Sequence, residues 1–327
     1  MTHTPTWSTV DYERDYGRPA ALAWRDINWT EHERDIDVDG TRVHYLDYRA
    51  DEGRSERTFV LVHGLGGRWQ HWSENIPALA RHGRVIAVDL PGFGCSPRLR
   101  GRYSVDRLTE VVASVVQRLD LGEVIVLGHS LGGPLAVRFA LRHRHLVQGI
   151  VLVAGTVQGF ADALGMRNMG WNLRHRRATV VSTYFEALTA GIPAPAWLRR
   201  LIIASPVLRQ VMLWPYLRRP ADLPGDSVEL LVDGVGAPGV LPTARAVGAL
   251  PLADWLVEAE VPTLVVGADH DPISPLSDLR AFLDSVGPVQ AVVLEGTGHM
   301  LMLERPDAFN TEILRFIQTP DPTGTAR

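Results

Sequence analysis

One stretch of the chain decides its fold: Val124-Ile125-Val126-Leu127-Gly128-His129-Ser130-Leu131-Gly132-Gly133. A run of strand-forming residues ends at Gly128, and residues with helical periodicity follow from Leu131 to about His143. A chain that turns this sharply from strand into helix strains the backbone of its central residue, and bulky neighbours would clash, so glycine is needed on both sides. The pattern predicts that Ser130 holds its hydroxyl above the sheet edge, at a helix N-terminus that favours developing negative charge.

Short β-branched runs and helical stretches alternate on both sides of this turn. The predicted strands are Thr58–Val62, Val85–Val88, Val124–Leu127, Ile150–Val153, Thr263–Val266 and Ala291–Leu294, with a hairpin over Ile36–Tyr48 that turns at Asp39-Gly40. A helix over Ser104–Leu119 has Ser104 as its predicted N-cap. Strands that are apolar on both faces and alternate with helices indicate a three-layer α/β fold with a mostly parallel, eight-stranded sheet.

This alternation breaks between about Thr156 and Val257, where no clear strand is present. The segment is rich in Trp and Met, and it is too long for a loop. We predict that residues 156–257 form a helical cap inserted after the sixth strand. The other predicted divisions are an N-terminal extension over 1–30, a core over 31–155 and 258–318, and a flexible tail over 319–327.

Composition and charge exclude several classes of function. The net charge of −4 indicates no nucleic-acid partner. The single cysteine, Cys95, excludes an intrachain disulfide framework and a Cys-based zinc cluster. All 33 basic residues are arginine, which excludes a lysine Schiff base and a P-loop lysine. The sequence contains no His-Glu-x-x-His motif and no clustered acidic site, so we expect no metal and no cofactor.

The N-terminal residues do not read as a secretory signal, because no basic start is followed by an apolar stretch. The apolar runs of the chain are far shorter than the roughly 20 residues that a spanning helix needs, so no transmembrane segment is predicted. We therefore expect a cytoplasmic protein. The sequence leaves the choice between monomer and homodimer open.

A serine nucleophile needs a general base, and the base needs a group that orients it. The loop Gly296-Thr297-Gly298-His299 follows the last predicted strand and supplies His299 as the base. The loop after Thr263–Val266 offers two carboxylates, Asp269 and Asp271, of which we prefer Asp271. The order Ser, Asp, His along the chain is the one expected for this architecture. His63 is an alternative base, and a structural role in its turn is the competing interpretation.

Five segments together resemble the α/β-hydrolase family over roughly Ile36 to Ile317, apart from the cap. They are Gly128–Gly132, His63-Gly64-Leu65-Gly66-Gly67, Asp89-Leu90-Pro91-Gly92-Phe93-Gly94-Cys95-Ser96, Asp271 with Pro275, and His299 with Glu304 and Pro306. The family's spacing of Asp and Pro fits Asp271 and does not fit Asp269. The turn at His63 supplies half of an oxyanion hole in that family, which by position implies the backbone N–H groups of Leu65 and Leu131 as donors.

The resemblance, with serine as the nucleophile, implies acyl transfer that requires no cofactor; members with Asp in the place of Ser130 open epoxides or displace halide. We expect a small apolar ester as substrate, because a cap rich in Trp, Met and Leu suggests an apolar pocket. Candidate substrate contacts are Gly64, His129, Trp69, Met300, Trp171 and Met166, with a core position as the competing interpretation for Trp69. Alternatives with the same triad are a C–C bond hydrolase, a lactonase, an amidase and a cofactor-free perhydrolase. A receptor that binds a small molecule without turnover is a further alternative.

Overall fold

Nine strands form one sheet at the centre of the molecule. The computed structural model describes residues 8–9, 15–21, 24–50, 57–156, 162–163, 166, 169–247, 250–287 and 289–318. The strands are β1 (Ser8–Thr9), β2 (Glu33–Val38), β3 (Thr41–Tyr48), β4 (Thr58–Val62), β5 (Arg84–Val88), β6 (Val124–His129), β7 (Val147–Val153), β8 (Thr263–Ala268) and β9 (Gln290–Leu294). Their order across the sheet is β1-β9-β8-β7-β6-β4-β5-β3-β2. The pairs β2–β3 and β3–β5 are antiparallel and all other pairs are parallel, which confirms the mostly parallel sheet.

The eight predicted strands correspond to β2 through β9. The additional strand, β1, is two residues long and pairs in parallel with β9, where Ser8 lies opposite Val292. It belongs to the predicted N-terminal extension, whose polar composition carries no strand signal. The extension therefore contributes one edge of the sheet.

Helices cover both faces of this sheet. They are α1 (Ile76–Ala80), α2 (Val105–Arg118), α3 (Gly132–Arg142), α4 (Met169–His175), α5 (Arg177–Thr189), α6 (Ala196–Ala204), α7 (Pro206–Leu213), α8 (Gly225–Val232), α9 (Val240–Ala246), α10 (Leu252–Ala259), α11 (Leu276–Val286), α12 (Leu301–Glu304) and α13 (Pro306–Gln318). Short 3-10 turns span Trp24–Asp26, Trp29–Glu31, Trp69–Trp72, Arg144–Leu146 and Pro220–Asp222. The buried residues of α2, α3, α10 and α11 pack on one face and those of α1 and α13 on the other, which confirms the three layers.

Buried β-branched residues explain the central strands. Every side chain of β4 and β6 is buried, as expected for strands covered by helices on both faces. The helix α2 begins after Ser104, whose hydroxyl oxygen accepts a hydrogen bond from the Arg107 N–H at 3.1 Å, so the predicted N-cap is confirmed.

Only helices and turns occur among the described residues between β7 and β8. Helices α4 to α9 form one stretch over residues 169–247, called the helical insertion below. The next helix, α10, packs against α3 and α11 in a layer of the core, so the predicted boundary between residues 257 and 258 falls inside this helix. The predicted tail at 319–327 lies outside the described residues.

Candidate active site

Ser130 lies at the sharp turn between β6 and α3. Its φ of +49° falls in the left-handed region that side-chain-bearing residues rarely adopt, and its N–H donates to the Val153 carbonyl at 2.8 Å. A Cβ on Gly128 would lie 2.1 Å from the Gly132 carbonyl oxygen, and a Cβ on Gly132 would lie 2.4 Å from that of Val62. Both contacts are with backbone that cannot move aside, so glycine is required at both positions.

His299 and Asp271 form a buried hydrogen-bonded pair. Asp271 Oδ2 accepts from His299 Nδ1 at 2.7 Å, and Asp271 Oδ1 accepts from the backbone N–H groups of Ile273 at 2.8 Å and Ser274 at 2.9 Å. Burial alone would lower the pKa of His299, but the Asp271 carboxylate outweighs burial and holds that pKa above its ordinary value. The pair therefore leaves His299 Nε2 as the ring nitrogen available for proton transfer.

The second candidate carboxylate, Asp269, lies elsewhere. It contacts His270 Nδ1 at 2.8 Å on the half-exposed surface and accepts from the Thr297 N–H at 3.2 Å. The structure thus brings Asp271, and not Asp269, to His299.

His63, the alternative base, is occupied by its own turn. Its Nδ1 donates to the Gly64 carbonyl at 2.7 Å, and its Nε2 accepts from the Leu90 N–H at 3.0 Å. Burial lowers the pKa of His63 to about 4, so the ring is neutral at ordinary pH. With both ring nitrogens engaged by the backbone, His63 has a structural role in the described chain.

His44, Asp89 and Cys95 place possible metal-ligand atoms within 4.8 Å of one another, the one such group among the described residues. Asp89 already accepts backbone N–H bonds at both oxygens, from Trp69 at 2.7 Å and from Cys95 at 2.8 Å. His44 Nδ1 contacts Asp35 Oδ1 at 3.0 Å. These contacts indicate that the group stabilises the loop after β5, and that the Asp89 carboxylate anchors the turn that carries Trp69.

A cavity of about 340 Å³ lies above Ser130, between the core and the helical insertion. The core lines it with Gly64, Leu65, Gly66, His71, His129, Ser130, His299 and Met300. The helical insertion lines it with Glu186, Leu188, Thr189, Ala190, Ile192, Pro193, Ala194, Pro195, Leu198, Ile202, Met212, Leu213, Tyr216, Leu231, Val232 and Val235. The walls are mainly apolar, as in pockets that take apolar groups and orient them with a few polar contacts.

Several predicted site residues meet at this cavity. Ser130, His299, Gly64, His129 and Met300 all line it. The ring of His129 also links the turn to the base, because His129 Nε2 donates to the His299 carbonyl at 3.0 Å.

Three predicted substrate contacts are not brought to the cavity. Trp69 is buried in the core, where its ring lies 5.5 Å from that of Trp29 in the N-terminal segment. Trp171 is 52% exposed and packs beside Arg176, and Met166 is 68% exposed. Trp69 therefore contributes to core packing, whereas Trp171 and Met166 lie on the outer surface.

The two predicted oxyanion donors lie on either side of Ser130 in the fold. Leu65 follows β4 and lines the cavity, and Leu131 is the N-cap residue immediately before α3. Within the described part of the chain, neither backbone N–H donates to a protein acceptor. Both amides are therefore unengaged among the described residues.

Two buried polar side chains of the cavity were missed by sequence reasoning. Glu186 projects from α5, and burial raises its pKa to about 7. His71 follows the turn after β4, and burial, with the nearby His63 and Arg68, lowers its pKa to about 3. The signal for Glu186 was present, because it is the only charged residue between Arg177 and Arg199.

A third buried carboxyl, Glu304, ties three segments together. Glu304 Oε1 accepts from the Gly298 N–H at 2.8 Å, and Oε2 accepts from the Tyr16 hydroxyl at 2.8 Å and the Arg218 N–H at 2.7 Å. The Tyr16 oxygen in turn accepts from the Arg219 N–H at 2.7 Å. This network joins the N-terminal segment, the helical insertion and the loop that carries His299. It gives residues 15–21 a role that the sequence did not reveal.

Together these groups can perform nucleophilic chemistry at a carbonyl. A strained serine and a histidine paired with a buried carboxylate line one apolar cavity. No helix in the described part of the chain combines the length and the apolar character needed to cross a membrane.

Comparison with known proteins places this geometry in a family. A sequence model of the alpha/beta hydrolase fold matches residues 57–306. The chain is 32% identical to the pimeloyl-[acyl-carrier protein] methyl ester esterase of Sodalis glossinidius, over 67% of this chain and 89% of that protein. It is 28% identical to the 2-hydroxy-6-oxo-2,4-heptadienoate hydrolase of Pseudomonas putida, over 80% of this chain and 89% of that protein.

A solved structure gives the same result for the fold. The enol-lactonase from Burkholderia xenovorans LB400 superposes with a TM-score of 0.64 at 22% identity, covering 88% of this chain and 100% of that one. The family match spans most of the chain, and the protein is therefore a hydrolase of the α/β-hydrolase fold family.

Proposed function

We propose that this protein is a serine hydrolase that cleaves carboxylic esters of apolar acyl or alkyl groups through an acyl-enzyme on Ser130. The observation that carries the proposal is the His299–Asp271 pair at the base of an apolar cavity that also holds Ser130. The cavity accounts for the apolar group, and the pair accounts for activation of the hydroxyl. Among the relatives, the Sodalis protein is named as an esterase.

The mechanism begins with attack of Ser130 Oγ on the ester carbonyl carbon while His299 Nε2 takes the hydroxyl proton. Asp271 keeps the imidazole proton on Nδ1 and stabilises the imidazolium that forms. The Leu65 and Leu131 N–H groups donate to the oxyanion, with the N-terminus of α3 adding a favourable dipole. His299 then gives its proton to the departing alcohol. A water molecule cleaves the acyl-enzyme by the same sequence of proton transfers, which restores the free serine.

The first test is substitution and covalent labelling of the proposed nucleophile. Ser130→Ala should lower kcat for a p-nitrophenyl ester by about 10⁴-fold or more, and a fluorophosphonate should label Ser130 in the unmodified protein. Ser277→Ala is the matched control, because Ser277 is exposed on α11 away from the cavity. Unchanged hydrolysis in Ser130→Ala, or labelling at another serine, would contradict the proposal.

A second candidate is hydrolysis of a carbon–carbon bond next to a carbonyl. The relative from Pseudomonas putida, named as a 2-hydroxy-6-oxo-2,4-heptadienoate hydrolase, favours it. Measuring kcat/KM for ring-cleavage diketones beside p-nitrophenyl esters of graded chain length decides between the two. A preference for the diketones over every ester would replace our first proposal by this one.

A further inference from the structure

Glu186 is a carboxyl group that nothing in the proposed chemistry uses. It lies on the cavity side of α5, is 2% exposed, and lines the same cavity as Ser130 and His299. Its cavity neighbours along the chain are mainly apolar, including Leu188, Ala190 and Ile192. A polar group placed in such surroundings costs free energy unless it is hydrogen-bonded.

Within the described chain, Glu186 has no such bond to compensate it. Its Oε2 has no hydrogen-bond partner, and no cationic side chain forms an ion pair with it. The groups that interact with its charge are His299, Asp271 and Tyr216, of which none donates to Oε2. A residue with an unsatisfied buried carboxyl oxygen therefore lines the cavity in which a substrate would bind.

Glu304 is the buried carboxyl with which Glu186 can be compared. It is equally buried, and both of its oxygens accept hydrogen bonds from the protein. A carboxyl retained for structure alone is expected to be bonded in that way. Glu186 differs because it lines the cavity while its buried Oε2 accepts no hydrogen bond from the described protein.

We propose that Glu186 is a specificity-determining residue that accepts a hydrogen bond from a hydroxyl group on the substrate, so that the preferred substrates are hydroxylated acyl or alkyl esters. The inference rests on the proposed function, since it assigns the substrate class of the same site. In this assignment the apolar walls of the cavity hold the carbon chain of the substrate, and the Glu186 carboxyl fixes its position.

A hydroxyl fits this carboxyl better than an ammonium group does. A hydroxyl can donate to an ionised carboxylate and can also accept from a protonated carboxyl, so it is satisfied in either state of Glu186. An ammonium group can only donate, and it would stand near His299, which becomes positively charged during the reaction. Pairing with Glu186 would also cancel the negative charge that favours the His299 imidazolium.

The test compares matched esters in the full-length protein. The pairs are ethyl hexanoate against its derivatives with one hydroxyl on the second, third or last carbon, and butyl hexanoate against the hexanoate monoester of butanediol. Acid release gives kcat/KM for each, and we expect at least one hydroxylated ester to exceed its parent by about tenfold or more. Glu186→Met should abolish this preference, and Glu186→Gln should keep part of it because the amide oxygen still accepts.

The control variant is Glu229→Met, which removes an exposed carboxyl from α8 in the same insertion and should keep the full preference. An ester that carries an amino group in place of the preferred hydroxyl is measured alongside these pairs. The proposal is overturned if no hydroxylated ester exceeds its parent, if the preference survives in Glu186→Met, or if this amino ester exceeds the hydroxylated one.

Failure of the proposed function is visible separately, as absence of turnover for every ester including the parents. In that case the same pairs are titrated calorimetrically into Ser130→Ala, with and without Glu186→Met. Tighter binding of a hydroxylated ester that is lost in the double variant supports the Glu186 assignment, and equal binding overturns it.

Discussion

Asp271→Asn is the substitution that most directly tests how this site sets the proton on His299. Asp271 Oδ1 is held by the N–H groups of Ile273 and Ser274, at 2.8 and 2.9 Å. Both are donors, so in the variant the amide oxygen must take this place. The amide NH₂ is then forced into the position of Oδ2, against His299 Nδ1.

There the NH₂ can only donate, so His299 must accept at Nδ1 and carry its proton on Nε2. That proton sits on the nitrogen that should receive the hydrogen of Ser130. Recovering the active tautomer would require turning the amide so that its NH₂ opposes two backbone donors. Two unmade buried hydrogen bonds cost about 2–6 kcal/mol together. At about 1.36 kcal/mol per tenfold, this cost alone corresponds to a loss of about 30-fold to 10⁴-fold.

The lost carboxylate charge adds to this, because it no longer stabilises the imidazolium that forms during attack. We therefore expect kcat for a p-nitrophenyl ester to fall by about 10⁴-fold, with thermal unfolding measured to establish that the variant is folded. Asp269→Asn is the matched control. Its carboxylate pairs with the half-exposed His270, so a change of about fivefold or less is expected. The reasoning is refuted if Asp271→Asn keeps more than about a tenth of the activity, or if Asp269→Asn loses as much.

Three further predictions concern the turn, the pH profile and the N-terminal segment. Gly128→Ala should lower the free energy of unfolding, measured by denaturant titration, by about 4 kcal/mol or more, because its Cβ would meet the Gly132 carbonyl oxygen at 2.1 Å. Gly170→Ala is the control and should be nearly neutral, because the space around its Cβ is open. Glu186→Gln should shift the acid limb of kcat/KM to lower pH, because the Glu186 charge helps to raise the pKa of His299 and the reaction needs the neutral ring; an unmoved limb counts against this contact. Tyr16→Phe should lower the free energy of unfolding by about 1–3 kcal/mol, since it leaves the Arg219 N–H without a partner and removes one of the two donors to Glu304 Oε2; an unchanged melting temperature would contradict that role.

The parts of the fold that local chemistry decides could be predicted from the sequence. The predicted strand Thr58–Val62 matches the observed bounds of β4, and the predicted helix over Ser104–Leu119 corresponds to α2 with its two capping residues. Runs that are apolar on both faces have one stable place, inside a parallel sheet covered by helices. The turn at Ser130 was predictable for a similar reason, because the backbone contacts at Gly128 and Gly132 admit no side chain.

The substrate side of the site could not be predicted in the same way. α5 shows little separation of polar and apolar faces, because its exposed side carries Val181 and Leu188, so its periodicity does not reveal that Glu186 lines the cavity. Trp69 was a candidate for the pocket, but Trp29, forty residues earlier in the chain, covers its ring. Both outcomes depend on contacts between segments that are distant in sequence, and periodicity within one segment carries no information about them.

Glu186 and Glu304 show why the sequence predicts the surroundings of His299 better than it predicts the residues that would contact a substrate. Burial raises the pKa of both Glu186 and Glu304 to about 7, so burial and acidity alone do not distinguish them. Their hydrogen bonds do, because Glu304 is satisfied by Tyr16, Arg218 and Gly298 while Glu186 keeps one oxygen unpartnered. A group satisfied within the protein fixes the geometry of His299 for any substrate, whereas an unsatisfied one gains its hydrogen bond only from the right ligand. If both proposals hold, the core can keep one reaction while the helical insertion changes which substrates are accepted, because the unpaired carboxyl oxygen that would select a substrate belongs to Glu186 in the insertion.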